Sequence, residues 1–130
     1  MKKIIRKNPK LMPKPLGDYS HITRVPNGAA LIVTSGQVGT DMKGNVPKSL
    51  NDQIANTFAN MKKILESEGL SQKNVIKVNI WATEEIDWDY FDLKWIKFFD
   101  NESPSMTIAY ITALGLPELK IEIELWCAEN

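Results

Sequence analysis

The sequence predicts one α+β domain over residues 1–130, of order β-β-β-α-β-α-β-β, with two helices packed on one face of a sheet. Three observations carry this. Leu50, Ile54, Phe58, Met61 and Leu65 recur at helical spacing. Ile76, Val78, Ile80 and Ala82 alternate with Lys77 and Asn79, as on a half-covered strand. The 130 residues are one domain's worth of chain, and 43% hydrophobic with 25% charged side chains is an ordinary globular composition.

Residues 3–7 read as a short strand, and Pro9, Pro13, Pro15 and Gly17 leave 8–18 as a loop. His21–Val25 and Ala29–Val38 read as a hairpin through Pro26-Asn27-Gly28, since Asn-Gly favours the positive φ of a tight turn. Gly39–Pro47 is a second loop. Ser49–Glu68 is the clearest helix: Ser49 caps it, Asp52 places negative charge in the first turn and Gly69 suits the left-handed end. Val75–Thr83 is the alternating strand. Asp87 opens a second helix whose Trp88, Phe91, Trp95 and Phe98 form a stripe that packs on the sheet rather than on a cofactor. Ser105–Ala113 and Lys120–Cys127 are the last strands, linked around Gly115-Leu116-Pro117.

The second sheet face needs a cover. Met106, Ile108 and Tyr110 share one face of their strand and Ala109 and Ile111 the other, while Trp81 and Trp126 oppose the apolar faces of theirs. Helices for one face leave the other to be buried against a further copy of the chain. Homo-oligomerisation follows from the pattern.

Sixteen Lys and Arg against sixteen Asp and Glu argue against non-specific nucleic-acid or membrane binding. The balance is not local: residues 1–14 hold six bases (Lys2, Lys3, Arg6, Lys7, Lys10, Lys14) and no acid, whereas 84–130 hold eleven acids and three lysines. The basic segment reads as a solvated stretch beside acidic surface; an RNA-gripping arm is the alternative. A lone cysteine, Cys127, excludes an internal disulfide and reads as a core residue, and a lone histidine, His21, removes most histidine-based catalysis. No metal-ligand spacing, phosphate loop or dinucleotide fingerprint occurs, so no cofactor or metal is expected. Without a signal peptide or membrane span the expected location is the cytoplasm.

Chemistry points to a few residues. Glu122 and Glu124 flank Ile123 and so share one strand face, where partial enclosure would favour proton transfer. Tyr19 ends the proline-rich loop and could project its phenol into a cleft. Ser35-Gly36-Gln37 interrupts an apolar strand, and Gly36 permits close approach of a ligand or neighbour.

These residues carry a resemblance over almost the whole chain. Gly17-Asp18-Tyr19-Ser20, Thr34-Ser35-Gly36-Gln37-Val38, the Gln53–Leu65 helix with Asn74-Val75-Ile76-Lys77, Phe98-Phe99, Pro104 and Lys120-Ile121-Glu122-Ile123-Glu124 resemble, in order and spacing, the RidA/YjgF family of reactive-intermediate deaminases. The resemblance implies a chorismate-mutase-like fold, a homotrimer with small-molecule clefts between subunits, and hydrolysis of enamines and imines such as 2-aminoacrylate. It implies catalytic roles for Glu122, which would activate water, and Tyr19, and substrate contacts from Ser35, Gly36, Met106 and Thr107. Where the family clamps its substrate with an arginine this chain has Met106, and Ile108 stands where many members carry cysteine. A guanidinium holds a carboxylate by two charged hydrogen bonds; a thioether donates none. If enzymatic, the chain is therefore expected to be an imine or enamine deaminase with an altered substrate. A non-catalytic small-molecule binder is the alternative, ahead of the ribonuclease or translation-inhibitor activity attached to some relatives.

Overall fold

In the computed structural model, which describes residues 3–129, the chain runs β1 (Ile5–Lys7), β2 (Ile22–Arg24), β3 (Ala30–Val33) and α1 (Leu50–Ser67). A 3-10 turn (Gln72–Asn74), β4 (Val75–Ala82), α2 (Trp88–Phe99), β5 (Ser105–Tyr110) and β6 (Ile121–Glu129) follow. The main sheet has the order β3-β6-β4-β5, and β1 and β2 pair apart from it. β4 and β5 are parallel, with α2 as their crossover; the other neighbours are antiparallel. Fold class and element order are those the sequence predicts.

The helices form where their caps and stripes dictate. The Ser49 side chain accepts the Asp52 N–H, and Gly69 ends α1 at φ 68°. Ile54, Phe58, Met61 and Leu65 are buried with Val78, Ile80, Ile121, Ile123 and Leu125 of the sheet, each such side chain contributing about 1.5–3 kcal/mol. On α2 the buried stripe is Phe91, Trp95 and Phe99, at steps of four. Phe98, expected on that stripe, is only half-buried and meets Phe58 of α1 edge-on at 5.4 Å.

The expected hairpin does not form. Its turn does: the Ala29 N–H donates to the Pro26 carbonyl at 3.4 Å and Gly28 adopts φ 83°. Its arms part, β2 pairing with β1 and β3 with β6. Thr23 Oγ1 lies 2.8 Å from Ser105 Oγ and also accepts the Ser105 N–H, tying β2 to the start of β5. β5 is the sheet edge farthest from β3. β3 also stops at Val33 rather than Val38, because the Thr34 hydroxyl, in place of a ladder carbonyl, takes the Leu125 N–H.

A register shift between Val75 and Lys77 moves Ile76 off the helix side, where alternation put it, and Val75 is buried instead. The helix-free face carries the exposed apolar groups Leu31 (57%), Val33 (49%) and Trp126 (38%), with half-buried Trp81 among them.

Arg6 is no part of a free basic arm; Lys2 lies outside the described residues. The Arg6 side chain is only 8% exposed and its Nη1 donates to Glu102 Oε2 at 2.8 Å. Nη2 donates to the carbonyls of Lys73 and Val75 at 2.8 and 2.6 Å, locking β1 against the 3-10 turn. Arg6→Met keeps the aliphatic stem and removes these donors, so it is expected to lower stability by about 2 kcal/mol, read from the urea midpoint. An unchanged midpoint would show that the clamp is not structural.

Candidate functional site

Glu122 lies on the helix-free face of β6, between Ile121 and Ile123, which point into the core. Gly36 faces its carboxyl group. A Cβ on Gly36 would overlap Glu122 Cδ and come within 2.7 Å of Oε2, so only glycine leaves room for the carboxylate here. The Gln37 N–H donates to the Ile123 carbonyl at 2.7 Å and the Ile123 N–H to the Gln37 carbonyl at 2.9 Å, which fixes this approach. Gln37 Nε2 donates to the carbonyl of Ser35, an exposed residue, at 3.1 Å.

α1 holds this platform from behind. Asn60 Nδ2 donates to the Val38 and Thr40 carbonyls, both at 2.9 Å, and Asn56 Nδ2 to the Gly39 carbonyl at 3.2 Å. Gln53 is wholly buried: its Nε2 donates to the carbonyls of Pro47 and Glu118, and its Oε1 accepts the Lys120 N–H. That amide joins the loop before α1 to the segment entering β6. Sequence reasoning missed these three residues. Their signal is a polar row at spacings of three and four along the flank of the apolar stripe.

A second polar group lies on the same sheet face. Glu124 Oε1 accepts from Asn79 Nδ2 at 2.8 Å and from Trp126 Nε1 at 3.4 Å, so this carboxylate is already engaged within the chain. Lys77 Nζ donates to Thr107 Oγ1 at 2.7 Å beside a crevice of about 440 Å³ lined by Thr23, Ile76, Asn79, Ser105 and Trp126. Lys77 is the only cation on this strand, and nothing in its spacing marked it.

The remaining predicted residues lie elsewhere. Tyr19 Oη accepts the Leu16 N–H at 3.2 Å, and its ring meets His21 edge-on at 6.0 Å. The next residue, Ser20, is bonded to Ser103 and Pro104, ahead of β5, whereas Glu122 is registered through Trp81 with Ala109. Strand spacing and rise put Tyr19 and Glu122 on the order of 20 Å apart within one copy. Met106 is registered with Val78 and packs half-buried against the core; Thr107, with Asn79, faces the opposite way. In a single chain these two neighbours do not line one pocket. Near the Tyr19 loop, burial raises the pKa of Asp92, with Asp18 and Asp89 adding to the shift. Burial pushes the Cys127 thiol up to about 11, which suits an unreactive core residue.

Among the described residues no helix is long and apolar enough to cross a membrane, and no cluster of three His, Cys, Asp or Glu is placed to hold a metal. The family model described as Endoribonuclease L-PSP matches residues 10–129. A protein of Dermatophagoides farinae named 2-iminobutanoate/2-iminopropanoate deaminase is 30% identical over 116 residues, covering 88% of each chain. The crystal structure of YyfB, a Rid-family protein of unknown function from Yersinia pestis, superposes with a TM-score of 0.86 at 21% identity, covering 97% of this chain and 98% of that one. That of E. coli TdcF with bound serine superposes at 0.69 with 25% identity, covering 96% and 94%. On this evidence the chain belongs to the Endoribonuclease L-PSP family, the RidA/YjgF family that its motifs resemble.

Proposed function

We propose that the protein is a homotrimer whose clefts between copies hydrolyse an imine or enamine, with Glu122 as the proton acceptor. The carrying observation is the seat of Glu122: a half-buried carboxylate against a glycine that admits no side chain, on a sheet face with exposed apolar groups. A neighbouring copy over that face and the free edge of β5 would enclose Glu122 and could supply the Tyr19 that its own chain keeps distant. Glu122 would take a proton from water as the oxygen adds to the C=N carbon. The nitrogen gains a proton, the carbinolamine expels ammonia, and a carbonyl compound remains. The deaminase name of the mite relative supports the reaction class, and serine bound to TdcF supports a small amino-acid-like ligand.

Met106 sets the departure. At the position where the family resemblance puts an arginine, its thioether packs against the core and offers no charged donor to a substrate carboxylate. Losing such a contact costs about 2–4 kcal/mol, a factor of tens to several hundred. The substrate is therefore less carboxylate-dependent than 2-aminoacrylate. Ammonia release from freshly generated 2-aminoacrylate and from an uncharged ketimine, each set against its uncatalysed rate, tests this. The uncharged imine is expected to show the larger acceleration. Acceleration of neither by the folded protein would sink the enzyme and leave the second reading, a binder without chemistry, which the same Met106 favours. A monomer in sedimentation at micromolar concentration would remove the shared cleft altogether.

A further inference from the structure

Away from the sheet, α1 and α2 face each other across a groove of about 490 Å³, within the range of roughly 300–1,000 Å³ usual for small-molecule sites. The sequence explains the gap: Ala55 and Ala59, one turn apart on α1, present only methyl groups to α2. The aromatic edges of Phe58 and Phe98 form the floor.

Its rim is basic. Lys62, Lys94 and Lys97 line the groove with a single acid, Glu66. Lys62 Nζ is 4.0 Å from Glu66, but among the described residues Lys94 and Lys97 have no acidic partner, and Lys94 lies 5.5 Å from the centre of the Tyr90 ring. Residues 84–130 contain only three lysines against eleven acids, and two of the three are these. Positive charge has been gathered here in the most acidic part of the chain.

We propose that this groove binds an aromatic phosphate monoester no larger than a mononucleotide. With Lys62 shared with Glu66, the lining carries a net charge of about +2, which matches the −1.5 to −2 that a phosphate monoester carries at neutral pH and a carboxylate does not. The two alanine methyl groups and the Phe58 and Phe98 rings give the groove an apolar, aromatic lining that suits a flat ring. No strand lines the groove, so covering the helix-free sheet face leaves it open. It is separate from the Glu122 seat.

The test is a titration of the full chain, followed by backbone amide shifts, with phenyl phosphate, adenosine monophosphate and inorganic phosphate in parallel. Saturable shifts are expected around Ala55, Ala59 and Phe98, with inorganic phosphate at least tenfold weaker than the better aromatic ester. Tighter binding of the nucleotide identifies a nucleotide ligand, and tighter binding of phenyl phosphate a smaller aryl ester. The pair Lys94→Glu and Lys97→Glu should weaken binding at least tenfold. Ala59→Phe, which fills the groove without altering charge, should do the same, with circular dichroism confirming that each variant is folded. Equal affinity for inorganic phosphate, shifts centred on the Lys77 crevice, or binding indifferent to both substitutions would overturn the proposal.

Discussion

With Glu122 as the proton acceptor of the proposed imine hydrolysis, Gly36→Ala is expected to cost at least 100-fold in kcat/KM, while stability stays within about 1 kcal/mol of the parent. The added methyl group would occupy the space of Glu122 Cδ, and that end of the side chain can rotate away. The fold absorbs the change; the carboxylate loses its position. Glu122→Gln is the matched control, keeping shape and removing basicity. If both variants lose activity to the same degree with unchanged melting temperatures, the carboxylate and its placement are what matter. Full activity in Gly36→Ala would show that Glu122 is not the working group.

The reverse outcome is expected three residues on. A Cβ on Gly39 would come within 2.6 Å of Gln53 Cα and close to its carbonyl oxygen, and helix backbone cannot rotate aside. Gly39→Ala should therefore destabilise by about 3 kcal/mol. For this chain length that lowers the melting temperature by about 10 °C. Gln53→Leu removes the buried amide's three hydrogen bonds at similar volume and is expected to cost about 2–4 kcal/mol, since several backbone groups lose their partners. Wild-type stability in Gly39→Ala would mean that the loop and α1 are not packed as tightly as this contact requires.

These neighbouring glycines show where sequence reading works and where it stops. Local chemistry was legible: the Ser49 cap, the Leu50–Leu65 stripe, the Gly69 stop and the Asp87 start all lie where their residue types put them. So were Gly36 and Glu122, each singled out separately, although only the fold shows that one packs on the other. Partner choice was not legible. The Pro26–Gly28 turn specifies its own dihedrals and says nothing about which strand each arm will join. Ile76 went to the wrong face because a register shift is a property of two strands, and Phe98 gave its place to Phe99 because the facing helix sets which flank is buried. Tyr19 lies far from Glu122 because the neighbouring Ser20 is bonded to Ser103 and Pro104, a long-range contact that no local periodicity encodes.

The position of β6 has a kinetic consequence. It follows every other described strand in the chain, yet it lies in the interior of the sheet and alone joins β3 to β4. Ala30 waits for Glu129, about three quarters of the chain away, and within the main sheet only the parallel β4–β5 pair can assemble beforehand. Such long-range closure slows folding. A nascent chain halted before Ile121 would carry α1 and α2 with their apolar faces poorly covered, a species prone to stick to its neighbours. Synthesis of β6 therefore does what a zip does at its last tooth: it closes both halves of the sheet in one event.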